Sequence, residues 1–142
     1  MNIIINSAET GDISRICELE QAIFSDPWSK ESLLFAARNN IFLTAKTESG
    51  EIAGYLVASG DEREVDLLIL AVSEPFRRQG IAKKLLDKLT EQRQSAAIWL
   101  EVRESNHTAR QFYEKDGFIK QFIRKAYYEN PIEDAVCMLK NP

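Results

Sequence analysis

The segment Val65-Asp66-Leu67-Leu68-Ile69-Leu70-Ala71-Val72 constrains the chain more than any other. A nearly continuous apolar run of this length reads as a strand buried on both faces, the centre of a sheet. Behind it come the turn Ser73-Glu74-Pro75-Phe76, the basic pair Arg77-Arg78, then Gln79 and Gly80. A helix is predicted next, from about Gly80 to Gln94, with Ile81, Leu85, Leu86 and Leu89 on one face.

The rest of the chain alternates strands and helices around this unit. Asn2 to Asn6 reads as a first strand, and Thr10-Gly11-Asp12 as the cap and acidic first turn of a helix whose stripe is Ile13, Ile16, Cys17, Ile23 and Phe24. Asp26-Pro27-Trp28-Ser29 breaks that helix. Ser29 is placed to cap a second one through Leu33, Leu34 and Ala37, with Trp28 stapled onto Leu33. Ile41 to Lys46 and Glu51 to Ala58 form a predicted hairpin around Ser49-Gly50, and Gly54 inside its second strand marks a bulge or a close approach. Ala97 to Val102 is a strand. Asn106 to Lys115 is a short helix closed by Gly117, and Phe118 to Lys125 and Ala135 to Lys140 are two last strands flanking a loop from Tyr127 to Asp134. The order βααβββαβαββ implies an α/β fold with a mixed sheet rather than a purely doubly wound one. At 142 residues, with no linker or repeat, a single domain is expected.

Composition narrows the chemistry. Cys17 and Cys137 lie far apart, His107 is the only histidine, and no spacing resembles a metal-ligand set, so no metal is expected. Cys17 and Cys137 read as core residues, and His107 as a surface one. The net charge of −4 disfavours general affinity for nucleic acid or an anionic membrane. No apolar run approaches the roughly 20 residues that span a bilayer, and the N-terminus lacks a signal-peptide pattern, so a cytoplasmic protein is expected. Charge is unevenly distributed. Arg77 to Arg93 holds six basic and two acidic residues, whereas Glu48 to Asp66 holds six acidic residues against Arg63. The first stretch could dock an anion and the second a cationic partner, although solvated faces produce the same pattern.

Three groups of residues have both a structural and a chemical reading. The start of the helix after Gly80 presents unsatisfied N–H groups and a positive dipole end, which suit phosphate, or else is simply a basic helix start. With one glycine and no Gly-Lys-Ser/Thr, it is neither a dinucleotide fingerprint nor a P-loop. On the strand Ala97 to Val102, Trp99, Glu101 and Arg103 share a face; Glu101 is a candidate base or half of an exposed Glu/Arg pair. Tyr113 falls beside Ala109 and Phe112 on a helical face, and Tyr127 and Tyr128 could pack on the sheet.

The pattern Arg77-x-x-Gly80-x-Ala82 resembles the acetyl-CoA signature of the GCN5-related N-acetyltransferases. Pro27-Trp28-Ser29, Trp99-Leu100-Glu101-Val102-Arg103, Ser105-Asn106, Phe112-Tyr113-Glu114-Lys115, Gly117-Phe118, Tyr127-Tyr128 and Glu133-Asp134-Ala135 resemble the family's ribosomal-protein alanine branch. The resemblance implies a mixed sheet with flanking helices, splayed between its fourth and fifth strands. It implies acetyl-CoA as co-substrate, its pyrophosphate on Arg77, Arg78, Gln79, Gly80, Ile81 and Ala82, with Leu70, Ala71 and Val72 along its arm and Asn106 holding the pantetheine. It further implies Glu101 as base, directly or through water, Tyr113 as the acid for the departing thiolate and as a cofactor contact, and Trp28, Tyr127 and Tyr128 as walls for a protein N-terminus, that of a ribosomal protein. The same fold acting on another amine, or a non-catalytic acyl-CoA-binding module, are the alternatives. Ile69, where the branch has asparagine, and the short loop Tyr127 to Asp134 depart from its pattern.

Overall fold

The computed structural model describes residues 2–142. The described residues form β1 (Ile4–Ser7), α1 (Ile13–Ile23), α2 (Lys30–Asn39), β2 (Ile41–Lys46), β3 (Ile52–Gly60), β4 (Glu64–Val72), α3 (Ile81–Gln92), β5 (Ala97–Arg103), α4 (His107–Lys115), β6 (Ile119–Tyr128) and β7 (Glu133–Lys140), the order expected from sequence. The sheet order is β1-β2-β3-β4-β5-β7-β6. β4 pairs with β5 in parallel, Glu64 to Asp66 opposite Ala97 to Trp99, whereas β1, β2 and β3, and β5, β7 and β6, pair antiparallel. The sheet is therefore mixed. Two compact units divide the described residues, one of residues 2–59 with 67–93 and the other of residues 60–66 with 94–142.

In the first unit the apolar stripes of α1 (Ile13, Ile16, Leu19) and α2 (Leu33, Ala36) form one cluster with Phe42, Ile52, Tyr55, Val57, Ile69 and Ala71. Burying a leucine or isoleucine there contributes about 1.5–3 kcal/mol. Ser29 caps α2 as expected, its Oγ accepting from the Ser32 N–H at 3.1 Å, and Trp28 joins the cluster that holds Leu33. The start of α1 differs from expectation. Thr10–Asp12 is a 3-10 turn closed by a reciprocal Glu9–Asp12 capping box, and only then does α1 begin.

The strand covered on both faces is β3 rather than β4. Ile52 to Ala58 are all buried, whereas β4 alternates, with Asp66 and Leu68 exposed and Leu70 and Val72 half-buried. An apolar run shows that a strand tolerates burial; it does not show that anything covers its second face. Gly54 marks both expected features. The register slips between Ala45 and Lys46 opposite it, and a Cβ at Gly54 would lie 2.7 Å from the Ala71 carbonyl oxygen and 3.3 Å from Ile81.

In the second unit Ile98, Leu100 and Val102 of β5 and Ala135 to Met138 of β7 are buried, while β6 is an exposed edge. Helix α4 ends in a complete Schellman motif, with Phe118 N–H on Tyr113 O at 3.0 Å and Gly117 N–H on Glu114 O at 3.1 Å. The expected loop from Tyr127 to Asp134 is present but narrower, a turn over residues 129–132. β6 runs through Tyr128 and β7 starts at Glu133, because a bulge between Arg124 and Tyr128 is pinned by Ala126 N–H donating to Asp134 Oδ1 at 2.8 Å. None of the described helices is long and apolar enough to cross a membrane.

The close approach at Gly54 yields a stability test. Gly54→Ala forces a methyl against a main-chain oxygen that cannot swing away, so unfolding free energy is expected to fall by about 1–3 kcal/mol. Urea denaturation reads this as a lower midpoint at unchanged slope, and an unchanged midpoint contradicts the packing described.

Candidate active site

In the first unit the end of β4 and the start of α3 frame a basic turn. Arg77 folds its side chain back so that Nε donates to the Val72 carbonyl at 3.1 Å, closing the turn on the strand it leaves. Arg78 and Gly80 both take left-handed backbone, φ 66° and 77°. For a residue with a side chain this costs roughly 1–2 kcal/mol, so the turn is shaped at the expense of stability. Gly80 then serves as the N-cap of α3, and the first bond into the helix is Lys84 N–H to Gly80 O at 3.1 Å. The N–H groups of Ile81 and Ala82 precede it, at the positive end of a twelve-residue helix. Arg77, Arg78, Lys83 and Lys84 surround that end on exposed positions. Concave backbone donors with cationic side chains are a fit for a pyrophosphate.

Leu70 and Val72 lie on the less covered face of β4, beside exposed Leu68, and Ala71 points into the core. Trp28, half-buried before α2, lines a hollow of about 640 Å³ with Pro27, Glu31, Phe35 and Asn40.

In the second unit the structure brings Glu101, Tyr113, Tyr127 and Tyr128 into one electrostatic neighbourhood. Glu101, on β5 opposite Cys137 of β7, is half-buried and pairs with Arg124 Nε at 3.2 Å. The sequence suggested Arg103 as its partner, since both share a face of β5. The pairing goes instead across the sheet, because Arg103 is committed to the β6–β7 turn. Its Nη1 donates to Pro131 O at 2.9 Å and meets Glu133 at 3.2 Å, and its guanidinium lies 4.4 Å from the Tyr128 ring centre. Glu133 also accepts the Ser105 N–H at 2.6 Å, and these bonds from Ser105 and Arg103 hold its carboxyl below the usual range.

Tyr113 packs edge-on against Phe112 and Phe118, with ring centres 5.4 and 5.5 Å away. Burial, reinforced by Tyr128, pushes its phenol well above the ordinary value. Tyr128 is pushed up to about 12 by burial and then by Tyr127 and Glu101. Tyr127, more exposed, is raised mainly by burial and next by Glu101. Asn106 is the N-cap of α4, its Oδ1 accepting from Ala109 N–H at 3.2 Å. His107 is exposed and Cys137 buried, as expected.

Two residues of consequence escaped the sequence reading. Arg124 sits on an edge strand where charge is ordinary. Glu20 is buried at 1% exposure and accepts from Tyr55 OH at 2.7 Å and from Trp28 N–H at 2.9 Å. Its signal was present, four residues after Ile16 on the apolar stripe of α1, where a carboxylate does not belong unless it is bonded.

The model of the acetyltransferase (GNAT) family matches residues 13–118. A [ribosomal protein bS18]-alanine N-acetyltransferase of Haemophilus ducreyi is 40% identical over 133 residues, which cover 89% of this chain and 92% of that protein. Among solved structures, the ribosomal-protein-S18-alanine N-acetyltransferase of Escherichia coli superposes with a TM-score of 0.88 at 30% identity, covering 99% of this chain and 94% of that one. The NatC complex bound to Gag peptide and CoA gives a TM-score of 0.87 at 25% identity, covering 100% and 99%. With a basic turn at the head of α3, a carboxylate and a buried phenol in its second unit, and a family match running through both units, the chain belongs to the acetyltransferase (GNAT) family.

Proposed function

We propose that the chain transfers the acetyl group of acetyl-CoA to the α-amino group of a protein N-terminus, the N-terminal alanine of ribosomal protein bS18 being its physiological acceptor. The relatives named for that activity match almost the whole chain, and a cytoplasmic location goes with such an acceptor. The structural observation that carries the reading is the Glu101–Tyr113–Tyr127–Tyr128 grouping: a carboxylate able to take a proton, beside phenols, one of them kept protonated by burial. An α-amine with pKa about 8 is roughly a tenth neutral at pH 7, whereas a lysine near 10.4 is almost wholly charged, so a modest base suffices for the former.

On this reading Arg77, Arg78, Gln79, Gly80, Ile81 and Ala82 hold the pyrophosphate, while Leu70, Ala71 and Val72 and the Asn106 amide line the pantetheine arm. The neutral amine attacks the thioester carbonyl, whose oxygen the Val72 N–H polarises. Glu101 takes the ammonium proton, directly or through water, and Tyr113 gives its proton to the sulfur as the C–S bond breaks. Trp28, Tyr127 and Tyr128 contact the acceptor's first residues. Desolvation raises the phenol and, at the same place, makes a departing thiolate a stronger base, so the transfer stays matched.

Glu101→Gln and Tyr113→Phe are each expected to lower kcat about 100-fold with the acetyl-CoA KM within about twofold, by steady-state assay. Unchanged turnover in either variant removes that residue from the chemistry. Because Tyr113 is shifted upward, its donor form persists as pH rises. The pH profile of kcat/KM should climb through the acceptor amine near pH 8 and show no decline before about pH 10, and a falling limb below that contradicts the assignment.

The acceptor is tested by mass spectrometry of an arginine-rich peptide beginning with alanine beside an N-blocked lysine peptide. A single acetyl group on the alanine amine alone is expected. Labelling of the lysine control selects another acceptor class. Glu62, Glu64 and Asp66 are exposed, so the KM of a basic acceptor should also rise with salt as screening grows.

A further inference from the structure

Glu20 stands where stability alone would place an apolar residue. It lies on the buried stripe of α1 with Ile13, Ile16 and Leu19, and a leucine there would spare the desolvation of a carboxylate. What the carboxylate supplies instead is a fixed acceptor. Oε1 takes the hydroxyl of Tyr55 on β3 at 2.7 Å, and Oε2 takes the main-chain N–H of Trp28 at 2.9 Å. The main-chain oxygen of the same residue takes the Phe24 N–H at 3.0 Å, the last bond of α1. The connection between α1 and α2 thus begins and ends on one residue, which is itself tied to the sheet. The residue after Trp28 is Ser29, the cap of α2, so the same anchor sets where that helix starts.

We infer that Glu20 is a positioning residue for the acceptor: braced by Tyr55, it fixes the main chain at Trp28 and with it the aromatic wall that, on the function proposed above, meets the incoming N-terminus. The role is geometric, so a group that accepts at the same point should preserve it. In Glu20→Gln the amide oxygen accepts from Trp28, while the amide nitrogen donates to the Tyr55 oxygen, which both donates and accepts. Glu20→Leu keeps the packing and leaves the Trp28 N–H without its acceptor.

The experiment is steady-state kinetics with the alanine peptide, paired with hydrogen exchange at the Trp28 amide. Glu20→Leu is expected to raise the peptide KM about tenfold and to speed exchange, with the acetyl-CoA KM within about twofold, while Glu20→Gln stays within about twofold of the parent on all three. Faster exchange with an unchanged peptide KM overturns the inference, as does an equal rise in both KM values or a Glu20→Gln protein as impaired as Glu20→Leu. Should Glu20→Leu not fold, Tyr55→Phe removes only the brace; the peptide KM should rise about threefold, and no rise overturns the inference. If the parent protein acetylates no N-terminal amine, the proposed function fails on its own. Exchange then decides the clamp, with faster exchange in Glu20→Leu alone supporting it and equal exchange in all three proteins overturning it.

Discussion

The close approach of β3, β4 and α3 at Gly54 is the constraint from which the basic turn before α3 follows. With no side chain at that position, the Ala71 carbonyl and the side chains of Ile81 and Leu85 come within 3.4 Å of where a Cβ would stand. Ile81 is the first residue of α3 and Ala71 the penultimate residue of β4, so this contact brackets the turn from both sides. Between them the chain must reverse within nine residues, from Val72 to Gly80, and it does so with a 3-10 turn at Glu74–Phe76 and two left-handed residues. The Arg77 bond to Val72 O and the Ser73 N–H bond to Ala53 O then fix the strand end. The N–H groups at the head of α3 are consequently held in place by packing against the sheet.

Electrostatic contacts in the molecule fall into two kinds. Lys83–Asp87 at 2.6 Å has both side chains more than half exposed, and such pairs are worth a few tenths of a kcal/mol. The buried ones carry position. Asp116, with a side chain 3% exposed, meets Lys140 at 2.8 Å and ties the end of α4 to β7. Arg103 ties β5 to the β6–β7 turn and to the Tyr128 ring, and Glu133 ties that turn to Ser105 at the entrance of α4. Tyr113 and Tyr128 are therefore located by a polar frame, while Trp28 in the other unit is located by Glu20.

Periodicity made the element order readable because α1, α2 and α3 each carry a stripe on the core and β5 alternates residue by residue. Where it misled, the missing information was tertiary. Nothing in Val65 to Val72 says that Asp66, Leu68, Leu70 and Val72 lack full cover, and nothing in Ala53-Gly54 says that this strand has helices on both sides. The turn within Tyr127 to Asp134 was legible, but its strand ends were not, since they follow a bulge at Ala126 whose main chain is satisfied by the Asp134 carboxylate, a bond of the folded state alone. The turn from Arg77 to Ala82 was legible because its chemistry is local to one strand–helix junction. The partner of Glu101 was not, since Arg124 reaches it from a strand 23 residues away in the chain.

The environment of Cys137 bears on why direct transfer is the fitting chemistry for this fold. A route through an acyl-enzyme needs a thiolate or an activated hydroxyl within reach of the reacting carbonyl. Cys137 faces Glu101 in register on the neighbouring strand, yet it is 2% exposed, and burial followed by the carboxylate pushes its thiol up. Both influences act against the nucleophilic form. Cys137 is thereby held in its thiol form, and an acyl-enzyme on it is disfavoured.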